Sequence, residues 1–399
     1  MRRRDFLGKT ALSLISSGLS TPFLKAGYKN QNDVNKLVYR ILGHTNLSIP
    51  LISFGVMNTK SPDMINKALD MGIKHLDTAH IYLDGNSERV IGKVLQETGK
   101  RDKIYVGTKL GFAADQGVFL TTRNRRGPGA TENNFFRLLE KSLDRLRTDY
   151  VDILYNHGPD TLQMVSYEPL LNAFVKAKES GKIRFIGLST HKNEPRVIRA
   201  AADSGVYDVV LTAYNYVKEN RRNIKKSIKY AAEKGVGVIA MKTQSGSRLQ
   251  ESGEIEVNHQ AALKWVLNDE NVCTTIPGMT TFDQLESNFQ VMSNLELSDA
   301  ERRELKLASM LKGTLYCQSC DSCISSCSHR VEIPNLMRAF MYARGYGNSI
   351  QAKITVQELP ENRSLDVCRT CTSCSAFCPN GINIKSRLSY LIEEGMCQG

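Results

Sequence analysis

The chain of 399 residues has no apolar run near the roughly 18 residues that a membrane span needs, so a stable membrane span is not expected. It has no basic stripe interleaved with aromatics, although its net charge is +12. The positive charge gathers at the extreme N-terminus (Arg2, Arg3, Arg4), in one loop (Arg123, Arg125, Arg126) and on one expected helix (Arg221, Arg222, Lys225, Lys226). That distribution suits a solvated surface and a phosphate-bearing cofactor, and it argues against nucleic acid as a partner. Cysteine is scarce outside two short runs: of ten, Cys273 and Cys397 stand apart and are read as incidental. Nothing marks a flavin site.

What is present is alternation. Short apolar runs lie at 51–56, 73–78, 103–109, 150–156, 183–189, 208–214, 235–242 and 273–277. Between them lie stretches with apolar residues three and four apart, such as PDMINKALDMG (62–72), ENNFFRLLEKSLDRL (132–146) and RNIKKSIKYAAEKG (222–235). Gly72, Gly181 and Gly235 fall where a left-handed residue ends a helix before a strand. Repeated strand–helix units of this kind predict a closed (β/α)8 barrel over 37–300. LVYRILGHTNLSIP (37–50) reads as a hairpin that caps the barrel's bottom.

In such a barrel the chemistry sits where strands end. Asp77, Lys109 and His157 each end a strand-like run, and Tyr82 follows Asp77 by one loop. This quartet suits carbonyl reduction. Hydride arriving at carbon leaves charge on oxygen, so a proton donor must stand there. A phenol serves if a neighbouring ammonium favours phenolate. A carboxylate holds that ammonium, and a histidine orients the substrate oxygen. Singly, each residue has a structural explanation: an ion pair for Asp77 and Lys109, a satisfied core histidine for His157.

HLDTAHIYLDGNSERVIGKVL (75–95) resembles the aldo-keto reductase signature, and GTKL (107–110), DILYNHGPD (152–160), IGLST (186–190), AYN (213–215) and IPGMTTFDQLESN (276–288) resemble later landmarks of that family in the right order. The resemblance implies a barrel of aldo-keto reductase type. It implies Asp77, Tyr82, Lys109 and His157 as the catalytic tetrad, with Tyr82 as general acid/base and a carbonyl or alcohol as substrate. It implies NADP or NAD across the mouth, touched by Ser189, Thr190, Tyr214, Met241, Gly278 and Asn288. Several positions depart from the family: Leu211 and Thr190 stand where glutamine and asparagine usually meet the nicotinamide amide, and Met241 stands where an aromatic ring often stacks. Gly278 and Gln284 align with the lysine and arginine that grip a 2′-phosphate. The long loop 111–130 begins at the same face and is expected to cover the substrate, with Phe112 and Phe119 available to stack on a ring.

The cysteine runs CQSCDSCISSC (317–327) and CRTCTSCSAFCP (368–379) share one spacing. Three cysteines at x2, x2 intervals let one bending loop put three thiolates on one cube of iron and sulfide, while a fourth, x3 further on, ligates the other cube, as in two-cluster bacterial ferredoxins. One expected site is Cys317, Cys320, Cys323 and Cys378; the other is Cys368, Cys371, Cys374 and Cys327. Zinc and disulfides are the competing readings. Ser328 stands where the second run has proline. The segment 333–347 reads as an amphipathic helix that packs on the clusters or on the barrel. A small, α-rich, ferredoxin-like domain with two [4Fe–4S] clusters is therefore expected over 301–399.

Arg3-Arg4-Asp5-Phe6-Leu7, followed by a modestly apolar stretch, resembles a twin-arginine export signal over 1–27, a route that carries folded, cofactor-loaded proteins. Export to the periplasm is the expectation. A frayed basic tail on a cytoplasmic protein is the alternative. For the two halves together, the first reading is a nicotinamide-dependent oxidoreductase whose clusters relay electrons, with a redox partner protein, or stabilise the fold. The second is an electron-transfer or binding protein on a degenerate barrel.

Overall fold

The computed structural model describes residues 37–112, 129–245, 257–312 and 316–398. The segments 1–27, Phe119 and the arginines at 123, 125 and 126 lie outside them. Strands β1 (Tyr39–Ile41) and β2 (Ser48–Pro50) form an antiparallel hairpin. Its turn residue Gly43 rests where an added Cβ would come 2.3 Å from the Gly235 carbonyl oxygen, just before a barrel strand. The hairpin thus closes the bottom of the barrel, where Leu42, Leu47 and Ile49 join the apolar interior.

The barrel runs β3 (Phe54–Gly55), α1 (Pro62–Asp70), β4 (His75–Asp77), α2 (Asn86–Thr98), β5 (Tyr105–Leu110), α3 (Glu132–Leu146) and β6 (Val151–His157). The short α4 (Leu162–Val165) and α5 (Glu168–Glu179) lead to β7 (Ile183–Thr190), α6 (Glu194–Ser204), β8 (Val209–Ala213), α7 (Arg221–Glu233), β9 (Gly237–Met241), α8 (His259–Leu267), β10 (Thr274–Thr275) and α9 (Phe282–Gln290). Strands β3 to β10 pair in sequence order, all parallel. The last meets the first through parallel bridges Ile52–Thr275 and Gly55–Gly278, which close the barrel.

Local chemistry explains the punctuation. The side chains of Ser61, Thr131, Thr161, Asn258 and Thr281 accept from backbone N–H groups in the first turns of their helices, each cap worth about 1 kcal/mol. Gly72, Gly181 and Gly235 take positive φ of 94°, 74° and 80° and turn the chain into the next strand. The larger core lies between the sheet and the helical ring, with Phe135, Leu139, Phe174 and Ile198 fully buried. A second core fills the barrel itself, with Ile153, Tyr155, Leu211 and Ile239. Tyr155 fits there because its neighbours on β5 and β7 are Gly107 and Gly187; a Cβ on Gly187 would lie 2.3 Å from the ring.

Helix α10 (Asp299–Lys312) crosses the 300/301 boundary and binds α8 through Lys264–Glu301 at 2.8 Å. The remainder is a run of short helices: α11 (Ser322–Ser326), α12 (Ile333–Phe340), α13 (Ser349–Gln357), α14 (Leu365–Thr370) and α15 (Ile384–Glu393). Their apolar faces share one core with barrel residues Tyr216, Val217, Val257 and Ala261. Polar bonds fix the same seam: Asn380 donates to Glu219 at 2.6 Å, Gln318 donates to the Val217 carbonyl at 3.2 Å, and Lys192 pairs with Asp321 at 2.5 Å. Among the described residues no helix is long and apolar enough to cross a membrane.

Candidate active site

Asp77 ends β4, and the chain then turns so that Tyr82 opens a short 3-10 turn, Tyr82–Gly85. Leu83 and Asp84 inside that turn have φ of 51° and 56°, a left-handed conformation that costs each about 1–2 kcal/mol. Buried polar groups hold it. Arg145 donates to the His80 carbonyl at 2.9 Å and to Glu88 at 3.2 Å; Thr108 donates to Glu88 at 2.7 Å. Ser87 bonds Thr78 at 2.6 Å and donates to the Val56 carbonyl at 2.7 Å. The Ser87-Glu88 pair of the signature therefore serves to pin the loop that carries Tyr82.

Lys109, near the end of β5, is 1% exposed. Its ammonium donates to the Asp77 carboxylate and, at 2.6 Å, to the Thr78 carbonyl. It lies 5.1 Å from the Tyr82 ring centroid. The His157 ring, at the end of β6, meets the Tyr82 ring edge-on with centroids 6.0 Å apart. The four side chains thus share one end of the barrel. Burial raises the Asp77 carboxyl above its usual range, and the Lys109 ammonium opposes that rise.

Below this quartet lies a buried polar cluster that the sequence did not suggest. His75, two residues before Asp77 on the same side of β4, and Tyr155 converge on Gly107, where an added Cβ would lie 3.3 Å from His75 Nε2 and 3.4 Å from Asp77 Oδ2. Burial, reinforced by Lys109, lowers the His75 imidazole to about 3, so it is neutral. Burial, reinforced by Asp77, raises the Tyr155 phenol well above its usual value.

Beside the quartet a cleft is lined by Gly55, Tyr82, Met241, Thr243, Gly278 and Gln284. Ser189 and Thr190 end β7, both buried. Ser189 Oγ has no protein partner, whereas Thr190 Oγ1 donates to the Lys192 carbonyl at 3.0 Å. Thr243 Oγ1 is likewise buried without a protein partner. These orphaned hydroxyls fit the amide and phosphate groups of a nicotinamide cofactor. Asn288 accepts from Gln244, another residue of the wall, at 2.9 Å.

Three assignments require correction or closer definition. Tyr214 does not join the cleft. Alternation along β8 turns Leu211 into the barrel and Tyr214 outward, where its ring lies 5.0 Å from that of Trp265. Burial, reinforced by Asp269, raises its phenol. Phe112 does not cover a substrate: it is 1% exposed and stacks on Phe135 in the outer core. Gln284 has its amide oxygen occupied by the Thr280 backbone N–H at 2.8 Å.

The C-terminal region also reaches this mouth. Helix α12 ends at Phe340, and the π-turn Met341–Gly345 carries Tyr342 into the cleft wall, with Tyr346 beside it. The Lys242 ammonium lies 5.5 Å from the Tyr342 ring centroid. Asn348 donates to Asn58 at 2.8 Å. The sequence placed 333–347 on a helix packing against clusters or barrel; Tyr342 meets the barrel's cleft, and Ile333 at its start lines both cysteine pockets.

Those pockets divide the eight cysteines into two quartets. Cys317, Cys320, Cys323 and Cys378 line one with Pro334, Met337 and Ile382. Cys327, Cys368, Cys371 and Cys374 line the other with Val331, Val367 and Leu388. Burial first, then the neighbouring thiols Cys317, Cys320 and Cys378, push the Cys323 thiol up to about 12. Burial, then Cys327, Cys374 and Cys371, do the same to Cys368. Thiols that disfavour one another's ionisation in an apolar pocket need a cationic core to become thiolates, which is what iron–sulfur clusters supply. Among the described residues no three His, Cys, Asp or Glu side chains converge as for a single ion.

A (β/α)8 barrel with this mouth and an appended cysteine domain defines an oxidoreductase of barrel type joined to an iron–sulfur module. The aldo/keto reductase family model matches residues 52–261, and a 4Fe-4S dicluster domain model matches 290–383. The chain belongs to the aldo/keto reductase family. It is similar to L-glyceraldehyde 3-phosphate reductase of Escherichia coli O157:H7, 26% identical over 333 residues that cover 69% of this chain and 93% of that protein. It is also similar to L-galactose dehydrogenase of Arabidopsis thaliana, 26% identical over 66% of this chain and 90% of the other. Its fold is similar to that of an aldo-keto reductase from Bacillus halodurans in holo form, with a TM-score of 0.57, 24% identity, and coverage of 68% of this chain and 96% of the other.

Proposed function

We propose that the barrel transfers hydride between a nicotinamide cofactor and a carbonyl or alcohol substrate, with Tyr82 as general acid/base. The observation that carries this is the buried Lys109 ammonium, held by Asp77 and placed against the Tyr82 ring. Nicotinamide, when bound, supplies or accepts the hydride. In the reducing direction Tyr82 gives its phenolic proton to the carbonyl oxygen as charge develops there. Lys109 stabilises the phenolate left behind. Asp77 keeps the ammonium in place, and His157 orients the substrate oxygen from beside the Tyr82 ring. Ser189, Met241, Thr243 and Gly278 are the residues suited to hold the cofactor. Lys242, which also lines the cleft, is suited to a cofactor phosphate, with NADP or NAD as the cofactor.

The two quartets are assigned to two [4Fe–4S] clusters, each taking three thiolates from one run and one from the other. Clusters, when bound, exchange single electrons. We assign them to a redox partner protein and to stability of the C-terminal region, with the Cys317 quartet nearer the barrel mouth, since Cys317 lines the crevice that also holds Gly158 and His191. The relatives' names, L-glyceraldehyde 3-phosphate reductase and L-galactose dehydrogenase, support a small polar carbonyl or alcohol as substrate. Residues 1–27 are assigned to twin-arginine export; replacing Arg3 and Arg4 by lysine should retain a fused reporter in the cytoplasm.

The deciding experiment is turnover of the cluster-loaded protein on a panel of carbonyls and alcohols, with NAD and NADP separately. Tyr82→Phe should abolish reduction while nicotinamide binding persists. Equal turnover in the variant would refute the assignment.

A further inference from the structure

The C-terminal region holds the barrel at two opposite parts of its rim. Strands β3 to β10 follow one another around the closed barrel, so the loops after β3 and β4 lie across the mouth from those after β7 and β8. On one side Lys192, after β7, pairs with Asp321. Next to it, after β8, Gln318 donates to the Val217 carbonyl at 3.2 Å and accepts from the Glu219 backbone N–H at 3.2 Å. On the other side Asn348 donates to Asn58 at 2.8 Å and to the Met57 carbonyl at 3.4 Å, both after β3. Helix α13 packs there on the Tyr82–Gly85 turn after β4. The chain between these anchors, with α12 and the π-turn, therefore bridges the mouth.

Each face of the bridge borders a different space. Pro334, Met337 and Met341 face a crevice whose barrel wall includes Gly158, His191 and Lys218, from the loops after β6, β7 and β8. Tyr342, Gly345 and Tyr346 face the cleft already described, whose barrel wall includes Gly55 on β3, Tyr82 after β4 and Gly278 after β10. His191 and Lys242 line both spaces, so the two meet there. Asn348 fixes the bridge at the cleft's end. Its side-chain oxygen accepts from the Gln351 N–H at 2.9 Å and starts α13. Its backbone N–H donates to the Tyr342 carbonyl at 2.8 Å and closes the π-turn. One buried side chain thereby ties Asn58, itself a cleft residue, to the tyrosine wall.

We propose that the bridge divides the mouth into two entrances, one for each reactant, with Asn348 as the positioning residue of the cofactor's wall. Nicotinamide occupies the cleft on the β3 and β10 side. The carbonyl or alcohol reaches Tyr82 and His157 through the crevice on the β6 to β8 side. The inference rests on the hydride-transfer reading above and adds the route of each reactant. With the cleft filled, Tyr82 is covered from that side; among the described residues the way left to it passes His191 and Gly158, the neighbour of His157. The reaction itself is unchanged: hydride passes between nicotinamide and carbon, and the proton between Tyr82 and oxygen. Two entrances change the order of events. In a mouth with one opening the second reactant to bind shuts the first in; here neither does.

The test uses the full, cluster-loaded chain, glyceraldehyde as the carbonyl, glycerol as the alcohol, and NADH or NADPH, whichever binds. Release of the reduced nicotinamide is followed by its fluorescence, without glycerol and with glycerol at a concentration that inhibits glyceraldehyde reduction. Both ligands are then reduced, so nothing reacts. The release rate should agree within about two-fold; slowing by about ten-fold or more means a shared opening and overturns the proposal. Asn348→Ser keeps a helix-capping hydroxyl but is too short to reach Asn58. It should raise the Kd for nicotinamide about ten-fold, the scale of one buried hydrogen bond, and leave the KM for glyceraldehyde, kcat and melting temperature nearly unchanged. Asn58→Ala breaks the same bond from the barrel side, and the double variant should add little to either. An unchanged Kd in Asn348→Ser, or equal rises in Kd and in the KM for glyceraldehyde, overturns the proposal. If no carbonyl turns over, the hydride-transfer reading fails and the substrate entrance with it, whereas a raised Kd in both variants still supports the bridge as the wall of a nicotinamide site.

Discussion

The barrel and the cysteine region are held together by different physics. In the barrel, β3 to β10 satisfy one another's backbone groups, and two apolar cores lie inside and outside the sheet. In 316–398 the described chain forms five short helices and no strand, and two of its pockets are walled by thiols that burial makes reluctant to ionise. The barrel carries its own stability. The cysteine region is expected to lean on its metal, and it lends the barrel a wall. Chemistry is therefore anchored in the barrel, while access to it is shaped by the region that carries the cysteine quartets.

The largest expected effect breaks that comparison directly. Stripping iron with a chelator should unfold much of 316–398, since structural metal commonly supplies on the order of 10 kcal/mol to a small domain. Hydrogen exchange should show protection lost at α12 and α15 and retained at β6 and β7. Protection surviving in both regions would mean that the shared core with Val257 and Ala261 suffices without metal. Cys320→Ser and Cys371→Ser each should lower bound iron by about half, because they fall in different quartets.

Next is the barrel's chemistry. Tyr82→Phe should lower kcat for carbonyl reduction by about three orders of magnitude, within the range for loss of a positioned acid/base. Iron content should not change. A fall in both would tie the tyrosine to the clusters more closely than the shared core does.

The sequence conveyed the barrel well because its signals are local. Helices such as Glu132–Leu146 follow from three- and four-residue spacing and an N-cap, and strand order follows from the repeating unit itself. Asp77, Lys109 and His157 were legible because strand ends are marked by the apolar runs before them. Tyr214 was not legible, because one step of alternation decides whether a side chain faces in or out, and a resemblance of three residues does not fix that register. Tyr342 was legible only as part of an amphipathic stretch. Its place in the cleft depends on how the C-terminal region docks, and nothing local in IPNLMRAFMYARGYG encodes the docking. His75 and Tyr155 gave no signal because each reads as an ordinary strand residue until Gly107 brings them together.

That buried pair gives the third test. The His75 imidazole is lowered to about 3 in the folded chain, against 6.5 when exposed. The unfolded chain therefore binds this proton more readily, and stability falls as pH drops from 6.5 towards 3 and is unaffected above that window. One such group amounts to on the order of 3 kcal/mol between pH 6.5 and 4.5. Urea unfolding of the barrel should show this slope, and His75→Asn should flatten it. An unchanged slope would place the proton elsewhere, and would leave the barrel less distinct from the cysteine region in its acid response.

The smallest effect sharpens the comparison most. Tyr342 belongs to the metal-dependent region yet forms part of the barrel's cleft, facing Lys242 across 5.5 Å. Tyr342→Ala removes an aromatic wall and a cation–π contact, each worth about 1 kcal/mol. The KM for nicotinamide should rise about ten-fold while kcat changes little, because Tyr82, Lys109, Asp77 and His157 sit on barrel elements. Iron removal should produce the same rise in the wild type and add little in the variant, since both take away one wall. If instead iron removal lowers kcat in Tyr342→Ala as strongly as in the wild type, the cysteine region acts on the chemistry by a route other than the wall it provides.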